Sequence, residues 1–204
     1  MSGEEAAALF TDSERFLRKG AMPIRVQKTL LGRGGVQGLD DEPHLHRKKL
    51  FMSLVEPERV AELAEITGAW LRTCARGWES KGTVVLYDEM REVLTRSVIA
   101  WSGVPMPDMD LRLRTDQFTA LFQYAGAAGP KYWRACMARK RAEQWLATLV
   151  EEVRGGNLDV PEQCALRAIA MHRELNGELL QPKIAAVELL NVLRPTVAVS
   201  VFIT

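Results

Sequence analysis

The residues of this chain best suited to chemistry are Arg194 and Pro195, which follow one another inside a strongly apolar segment. Proline within a helix removes a hydrogen bond and clashes with the carbonyl four residues back, which costs about 3 kcal/mol. An arginine in apolar surroundings must find an anion, because an unpaired buried charge is strongly unfavourable. The pair therefore indicates a site in which the guanidinium holds a carboxylate beside a helix kink. An arginine paired with an internal acid at an ordinary kink explains the two residues equally well.

A basic cluster at residues 44–49 offers a second place for an anion. On a helix, His44 and Lys48 project from one face, whereas His44 and His46 point to nearly opposite sides and are poor joint metal ligands. Two donors on one face suit a phosphate or a carboxylate. A solvated basic face is the alternative interpretation of the cluster.

The sequence holds no familiar catalytic or metal-binding motif. The glycine-rich stretch 32–38 lacks the spacing of a phosphate-binding loop, and neither G-x-S-x-G nor H-E-x-x-H occurs. Three widely spaced cysteines form no C-x-x-C pair and are expected to be buried free thiols, without a zinc site: Cys74, Cys136 and Cys164. The charged runs 139–141 and 151–152 are expected to be solvated surface.

Composition excludes several classes of partner. Lys plus Arg number 27 and Asp plus Glu number 26, so the balance does not support nucleic-acid binding or a helical transcription regulator. No stretch approaches the roughly 18 uncharged apolar residues of a membrane span. The acidic start at Met1–Glu5 does not resemble a secretory signal, and a cytoplasmic location is expected.

The apolar pattern predicts a chain that is mainly α-helical. Helices are expected from residue 57 to Gly82, 88 to 101, 107 to 124, 130 to 154, 161 to 170 and 182 to 203. The β-branched stretch 83–87 predicts a short strand. The last helix is apolar on nearly every side from Ile184 to Ile203, which is typical of the centre of a larger protein. We expect residues 1–204 to form a single, incomplete domain.

Several stretches together resemble the fatty-acid peroxygenase branch of the cytochrome P-450 superfamily. They occur in order along the whole chain, at residues 15–21, 27–32, 36–40, 44–48, 51–54 and 185–198. The resemblance spans about the middle half of a family member. It implies a partial cytochrome P-450 fold, mainly α, that ends inside the long central helix.

The resemblance also implies a reaction. Most of the superfamily carries an acid–alcohol pair in the central helix, whereas this branch has Arg-Pro, which Arg194 and Pro195 match. Arg194 is then expected to bind the carboxylate of a long-chain fatty acid beside the haem, and that carboxylate to act as the general acid–base that helps to cleave hydrogen peroxide. Such an enzyme needs no reductase partner.

Further site residues follow from the same resemblance. Arg18, His44 and Lys48 match positions that pair with the haem propionates. Gln37 matches the distal residue that faces the iron, where histidine accompanies alkene-forming decarboxylation, so Gln37 favours hydroxylation. Leu31 stands where the family usually has phenylalanine in the substrate pocket, which leaves the oxidised carbon open.

One family feature is missing from the sequence. The family ligates haem iron through a cysteine in a glycine-rich loop, and none of the three cysteines lies in such a loop. The E-x-x-R element of a later helix and the initial strands are missing too. We therefore expect a fragment of the enzyme that is inactive and poorly folded by itself, with apolar surface exposed on its last helix. The alternative is a non-enzymatic helical module that binds a fatty acid or another anion through Arg194.

Overall fold

The structure is a computed structural model that describes residues 3–11 and 16–203. Two residues named above lie outside these ranges: Met1, which begins the acidic start, and Arg15, which begins the first resembling stretch. Ten α-helices are present in the described part of the chain: α1 Glu4–Thr11, α2 Ile24–Val26, α3 Asp41–Leu54, α4 Pro57–Trp78, α5 Leu86–Trp101, α6 Leu111–Gln123, α7 Pro130–Arg154, α8 Ala165–Ala170, α9 Pro182–Ala198 and α10 Ser200–Ile203. A π-helical turn, Gln27–Leu31, continues α2, and 3-10 turns lie at Val36–Gly38 and Asp108–Asp110.

The prolines begin the long helices, as the sequence predicts. Pro57, Pro130 and Pro182 occupy the first turns of α4, α7 and α9, where the missing N–H has no intrahelical partner to lose. Gly155 follows the last residue of α7, and its N–H donates to the carbonyl of Glu151 at 2.9 Å. The bounds of the long helices are therefore confirmed to within a few residues.

Helix α9 lies at the centre of the structure. It packs against α5, α6, α7 and α8, and residues 185–190 are buried on all sides. Leu189, Leu190 and Leu193 are fully buried in the core cluster. The apolar pattern around the whole helix is explained by these neighbours on several sides.

The predicted strand at 83–87 is wrong. Residues 83–85 are extended, but Leu86 and Tyr87 already belong to α5. The described residues contain no strand with which this segment could pair, and the acidic first turn of α5, with Asp88 and Glu89, suits a helix start. A turn lies at Asn176–Gly177 and is closed by an isolated antiparallel bridge between residues 173 and 179.

Helices α9 and α10 together correct the expectation about membrane spans. By length and composition the segment Pro182–Ile203 is apolar enough to cross a membrane, contrary to the sequence prediction. One such helix is weak evidence, because the core helix of a soluble protein passes the same test, and 56% of its most apolar window is buried inside the structure.

The end of this segment exposes apolar side chains, as expected. Phe202 is 88% exposed, and Val199 and Val201 are about half exposed. Pro195, one turn before Val199, is also exposed. The inner face of the same segment is buried, so the two faces differ sharply in environment.

The free thiols differ in burial. Cys164 is buried, as predicted, and its sulfur accepts the N–H of Arg167 at the start of α8. Cys74 and Cys136 are only half-buried, so the expectation of full burial is wrong for them. Neither belongs to the hydrophobic core cluster.

Gly103 allows the chain to pass over Cys164, and we predict that alanine there destabilises the fold. Its φ is +70°, and an added Cβ would lie 2.4 Å from the Cys164 sulfur. Gly82 is the matched control, since its φ is +68° but an added Cβ meets nothing within 4 Å. Gly82→Ala should lose roughly 1–2 kcal/mol from the left-handed backbone alone. Gly103→Ala should lower the free energy of unfolding in urea clearly more than Gly82→Ala does. Equal losses would contradict the packing described.

Candidate functional site

Arg194 is a buried cation without an anion in the described structure. The residue is 8% exposed, and its Nε has no hydrogen-bond partner. No ion pair or hydrogen bond joins its guanidinium to another described residue. Burial, helped by the nearby charge of Arg139, lowers the pKa of Arg194 to about 10. The side chain therefore stays charged at neutral pH and can receive an anion from outside.

Arg139 is the second buried guanidinium here, so the predicted solvated surface at residues 139–141 is wrong for Arg139 and confirmed for the exposed Lys140 and Arg141. The residue is 3% exposed. Its Nε donates to the carboxylate of Glu143 at 2.7 Å, and its Nη1 donates to the carbonyls of Thr29 and Leu30 at 3.1 and 2.9 Å. Burial lowers the pKa of Arg139, and Glu143 opposes that change. Arg139 thus ties the π-helical turn to α7.

A buried ion pair involves Glu188, six residues before Arg194 on α9. Glu188 is fully buried, and its Oε1 accepts from Arg47 Nη1 at 3.0 Å and from the Val36 N–H at 2.7 Å. Arg47, 2% exposed, also pairs with Glu174 and donates to the Gly34 carbonyl at 3.0 Å. Burial raises the pKa of Glu188, and the bonds from Arg47 oppose that rise. The pair fixes the glycine-rich loop against α9.

Asn191 connects this ion pair to Gln37. Its Nδ2 donates to the Gln37 side-chain oxygen at 3.1 Å and lies 3.4 Å from Glu188 Oε2. A Gln37 amide that accepts through its oxygen leaves its NH₂ group free to donate elsewhere. Asn191 precedes Arg194 by three residues, so both project from one side of α9. Gln37 is thereby held within one helical turn of Arg194.

The glycine-rich loop brings three predicted residues around one small cleft. Arg18, Leu31 and Gln37 all line it, together with Gly32. Gly32 has a φ of +83°, and an added Cβ would lie 2.3 Å from Arg139 Nη2. Only glycine fits this close approach. The loop therefore turns sharply between Leu31 and Gln37, which presents both side chains to the same space.

Asp40 positions the segment that carries Arg18. The carboxylate of Asp40 accepts the backbone N–H groups of Arg18 at 2.6 Å and Lys19 at 3.0 Å. The bond from Arg18 lowers the pKa of Asp40. The Arg18 side chain is exposed and lies at the edge of the cleft, where it can contact a negatively charged group.

His44 and Lys48 differ in their surroundings. His44 is half-buried, with its Nδ1 3.1 Å from the carbonyl of Val36, next to Gln37. Lys48 is exposed one turn later on α3. Arg47, between them, points inward, so the cluster is only partly the solvated face considered above. The sequence analysis missed Arg47 as a buried residue.

The structure thus gathers Arg18, Leu31 and Gln37 at one cleft and places Arg194 one turn from the residue that holds Gln37. Sequence reasoning missed Arg47, Glu188 and Arg139. A signal for Glu188 was available, because it is an acid in a run otherwise as apolar as that around Arg194. The described residues contain no group of three His, Cys, Asp or Glu side chains that could hold a metal ion.

Comparison with solved structures identifies relatives of the whole chain. Cytochrome P450SP alpha (CYP152B1), in complex with (R)-ibuprophen, is 50% identical with a TM-score of 0.95, over 100% of this chain and 50% of that one. Wild-type cytochrome P450EX alpha (CYP152N1) with myristic acid is 42% identical with a TM-score of 0.92, over 98% and 48%. Ligand-free cytochrome P450 OleT is 30% identical with a TM-score of 0.94, over 100% and 49%. A scan against protein-family models finds no match.

These relatives confirm the expected partial cytochrome P-450 fold. The chain spans about half the length of the solved relatives that it matches. Identity of 30–50% and TM-scores of 0.92–0.95 extend over nearly every residue of the chain. The chain belongs to the cytochrome P-450 superfamily, in the CYP152 family of fatty-acid peroxygenases.

Proposed function

We propose that this chain forms the carboxylate-binding part of a haem-thiolate peroxygenase that hydroxylates long-chain fatty acids with hydrogen peroxide. The observation that carries the proposal is Arg194, a buried and charged guanidinium without an anion among the described residues. Burial without a partner costs stability, and a substrate carboxylate removes that cost each time it binds. The function therefore explains why the helix keeps this residue.

The ligands of the relatives support a carboxylate substrate. Both the (R)-ibuprophen and the myristic acid bound in those structures are carboxylic acids. A guanidinium presents a planar fork that matches the two oxygens of a carboxylate. The alkyl chain of the acid would extend toward Leu31, an apolar side chain of the cleft.

The resemblance implies that a haem binds beside the cleft, which Arg18 lines, and beside α3, which carries His44 and Lys48. Arg18, His44 and Lys48 are cationic or neutral donors that would hold its two propionates, and Gln37 would face its distal side. A thiolate ligand does not come from this part of the chain, because no cysteine lines the cleft. When bound, haem supplies the iron at which the peroxide O–O bond is cleaved.

The protein residues themselves would control one carboxylate and its proton. Arg194 favours the ionised form of the fatty acid, because a neighbouring cation lowers a carboxyl pKa. The ionised carboxylate can then accept a proton from peroxide and return it, as a general acid–base. Pro195 removes one backbone N–H donor from α9 at the position after Arg194. Gln37, oriented by Asn191, offers an amide NH₂ rather than an imidazole, which favours hydroxylation over decarboxylation.

A non-enzymatic module that binds fatty acids is the second candidate. It uses the same buried Arg194 and requires no haem. The two candidates differ in what completes the site: an enzyme needs a thiolate-ligated iron beside Arg194, whereas a binding module needs only the pocket. An activity measurement in the presence of a thiolate-bearing half separates them.

We predict that a hybrid in which this chain replaces the aligned half of cytochrome P450SP alpha hydroxylates myristate with hydrogen peroxide and no reductase. Arg194→Ala should lower its kcat/KM about a hundredfold, as expected when a buried charged pair loses about 3 kcal/mol. Arg194→Lys should have a kcat/KM between those of the unchanged hybrid and Arg194→Ala, because lysine keeps the charge but lacks the planar fork of the guanidinium. The chain alone with haemin should be no faster than haemin. A haem-loaded hybrid whose kcat/KM is unchanged by Arg194→Ala would contradict the proposal.

We also predict that Arg194→Met stabilises the ligand-free chain. A hydrophobic side chain of similar size removes an unpaired buried charge, so the free energy of unfolding in urea should rise by about 1–4 kcal/mol. Arg47→Met is the matched control on a neighbouring helix: it strands the buried Glu188 carboxylate and should lower the free energy of unfolding by about 3–5 kcal/mol. If both variants destabilise equally, Arg194 has an anionic partner within the chain.

A further inference from the structure

A larger groove lies beside the cleft, outside the site described above. It has a volume of about 460 Å³ and opens between α7, the turn at Gly32 and the start of α9. We call it the basic groove and define it by its ionised lining residues: Lys28, Arg33, Arg139, Lys140, Glu143 and Lys183. The single acid, Glu143, is already bonded to Arg139. The four other cations are exposed, so the groove is strongly positive.

The inner end of the groove holds an unused donor. Nη2 of Arg139 is buried and has no hydrogen-bond partner, although the rest of the guanidinium is fully engaged. The residue is 3% exposed, which makes an unpartnered N–H group there unfavourable. An anion that reached the floor of the groove would satisfy this group. The donor is therefore a second, independent sign of a negatively charged ligand.

The groove adjoins the Arg194 site. Gly32 lines both the groove and the small cleft with Leu31 and Gln37. Arg139, which forms the groove floor, is close enough to Arg194 for its charge to contribute to the low pKa of that residue. The two buried arginines are thus neighbouring positive charges, of which Arg139 lines the groove and Arg194 lies on α9.

We propose that the basic groove is a docking site for the carboxylate of a long-chain fatty acid on its way to Arg194. This inference rests on the proposed function, since it assumes that a fatty acid is the ligand of Arg194. A carboxylate that must end deep in the protein loses its hydration, which is costly without a compensating cation. The exposed lysines attract the acid from solution, and Arg139 accepts it before Arg194 does.

The shape of the groove favours an acid with an alkyl chain over a small anion. Ala147 and the half-buried Cys136 line its wall beside the cations, and the methylene stems of the lysines add apolar surface. An alkyl chain can cover this wall while the carboxylate contacts the cations. A free phosphate offers the charge without the chain, and an uncharged amide offers the chain without the charge.

Cys136 provides the measurement, because it lines the groove whereas the half-buried Cys74 does not. The rate of alkylation of each thiol in the 204-residue chain is followed by peptide mass spectrometry, with myristate below its micelle concentration. At a myristate concentration ten times its Kd for the groove, Cys136 should react about tenfold more slowly, because only the protein with an empty groove reacts. Cys74 should be unaffected. Myristamide and inorganic phosphate at the same concentration should protect Cys136 far less.

Three variants decide between the groove and the inner site. Lys28→Glu combined with Lys183→Glu should abolish the protection of Cys136, whereas Lys49→Glu, an exposed charge reversal on α3, should preserve it. Arg194→Met should also preserve it, because the groove is reached first. Circular dichroism checks that each variant folds.

The outcomes separate this inference from the proposed function. The proposed docking site is overturned if protection of Cys136 is absent, is equal with myristamide or extends to Cys74. It is also overturned if the double variant retains the protection or if Arg194→Met loses it. Failure of the hybrid enzyme with Cys136 still protected overturns the peroxygenase proposal and leaves fatty-acid docking at the groove standing.

Discussion

The structure depends on one unfavourable feature, the buried positive charge of Arg194 at the centre of the most apolar helix. A charge in that position is retained only if something outside the described chain neutralises it or if its cost is tolerated. Burial lowers its pKa but leaves it ionised at neutral pH. Three features lie close to that charge: Pro195 follows it in α9, Asn191 one turn earlier bonds Gln37, and the loop turns sharply at Gly32 beside the cleft.

Helix α9 carries two buried ionised groups, and they differ in whether the described chain supplies an opposite charge. Glu188 receives Arg47 and a backbone N–H from within the chain and forms a structural pair, whereas Arg194 receives no anion from the described residues. Asn191 lies between them and transmits the rigidity of the pair to Gln37. A hydrogen-bonded network that holds an unpaired charge in place is typical of a binding site. The structural pair thereby fixes the position of Gln37 near Arg194.

Local patterns predicted the helices well, because proline at the first turn and glycine at the end act within a few residues. They also indicated that Arg194 needs an anion. They failed for residues 83–87, where β-branched side chains favour a strand but no partner strand lies nearby among the described residues. Arg47, Arg139 and Glu188 were missed because each of them bonds to a residue more than a hundred positions away, which no local pattern reports. The family assignment came from resemblance, and solved relatives support it.

The central claim, that Arg194 pairs with a fatty-acid carboxylate, is tested most directly by the carboxyl ¹³C resonance of labelled myristate bound to the chain, followed as a function of pH. Contact with a guanidinium favours the ionised form, so the carboxyl pKa of bound myristate should lie well below that of free myristate. Arg194→Met should abolish that lowering. A bound carboxyl pKa that is raised, or one that is lowered equally in wild type and Arg194→Met, would contradict the account.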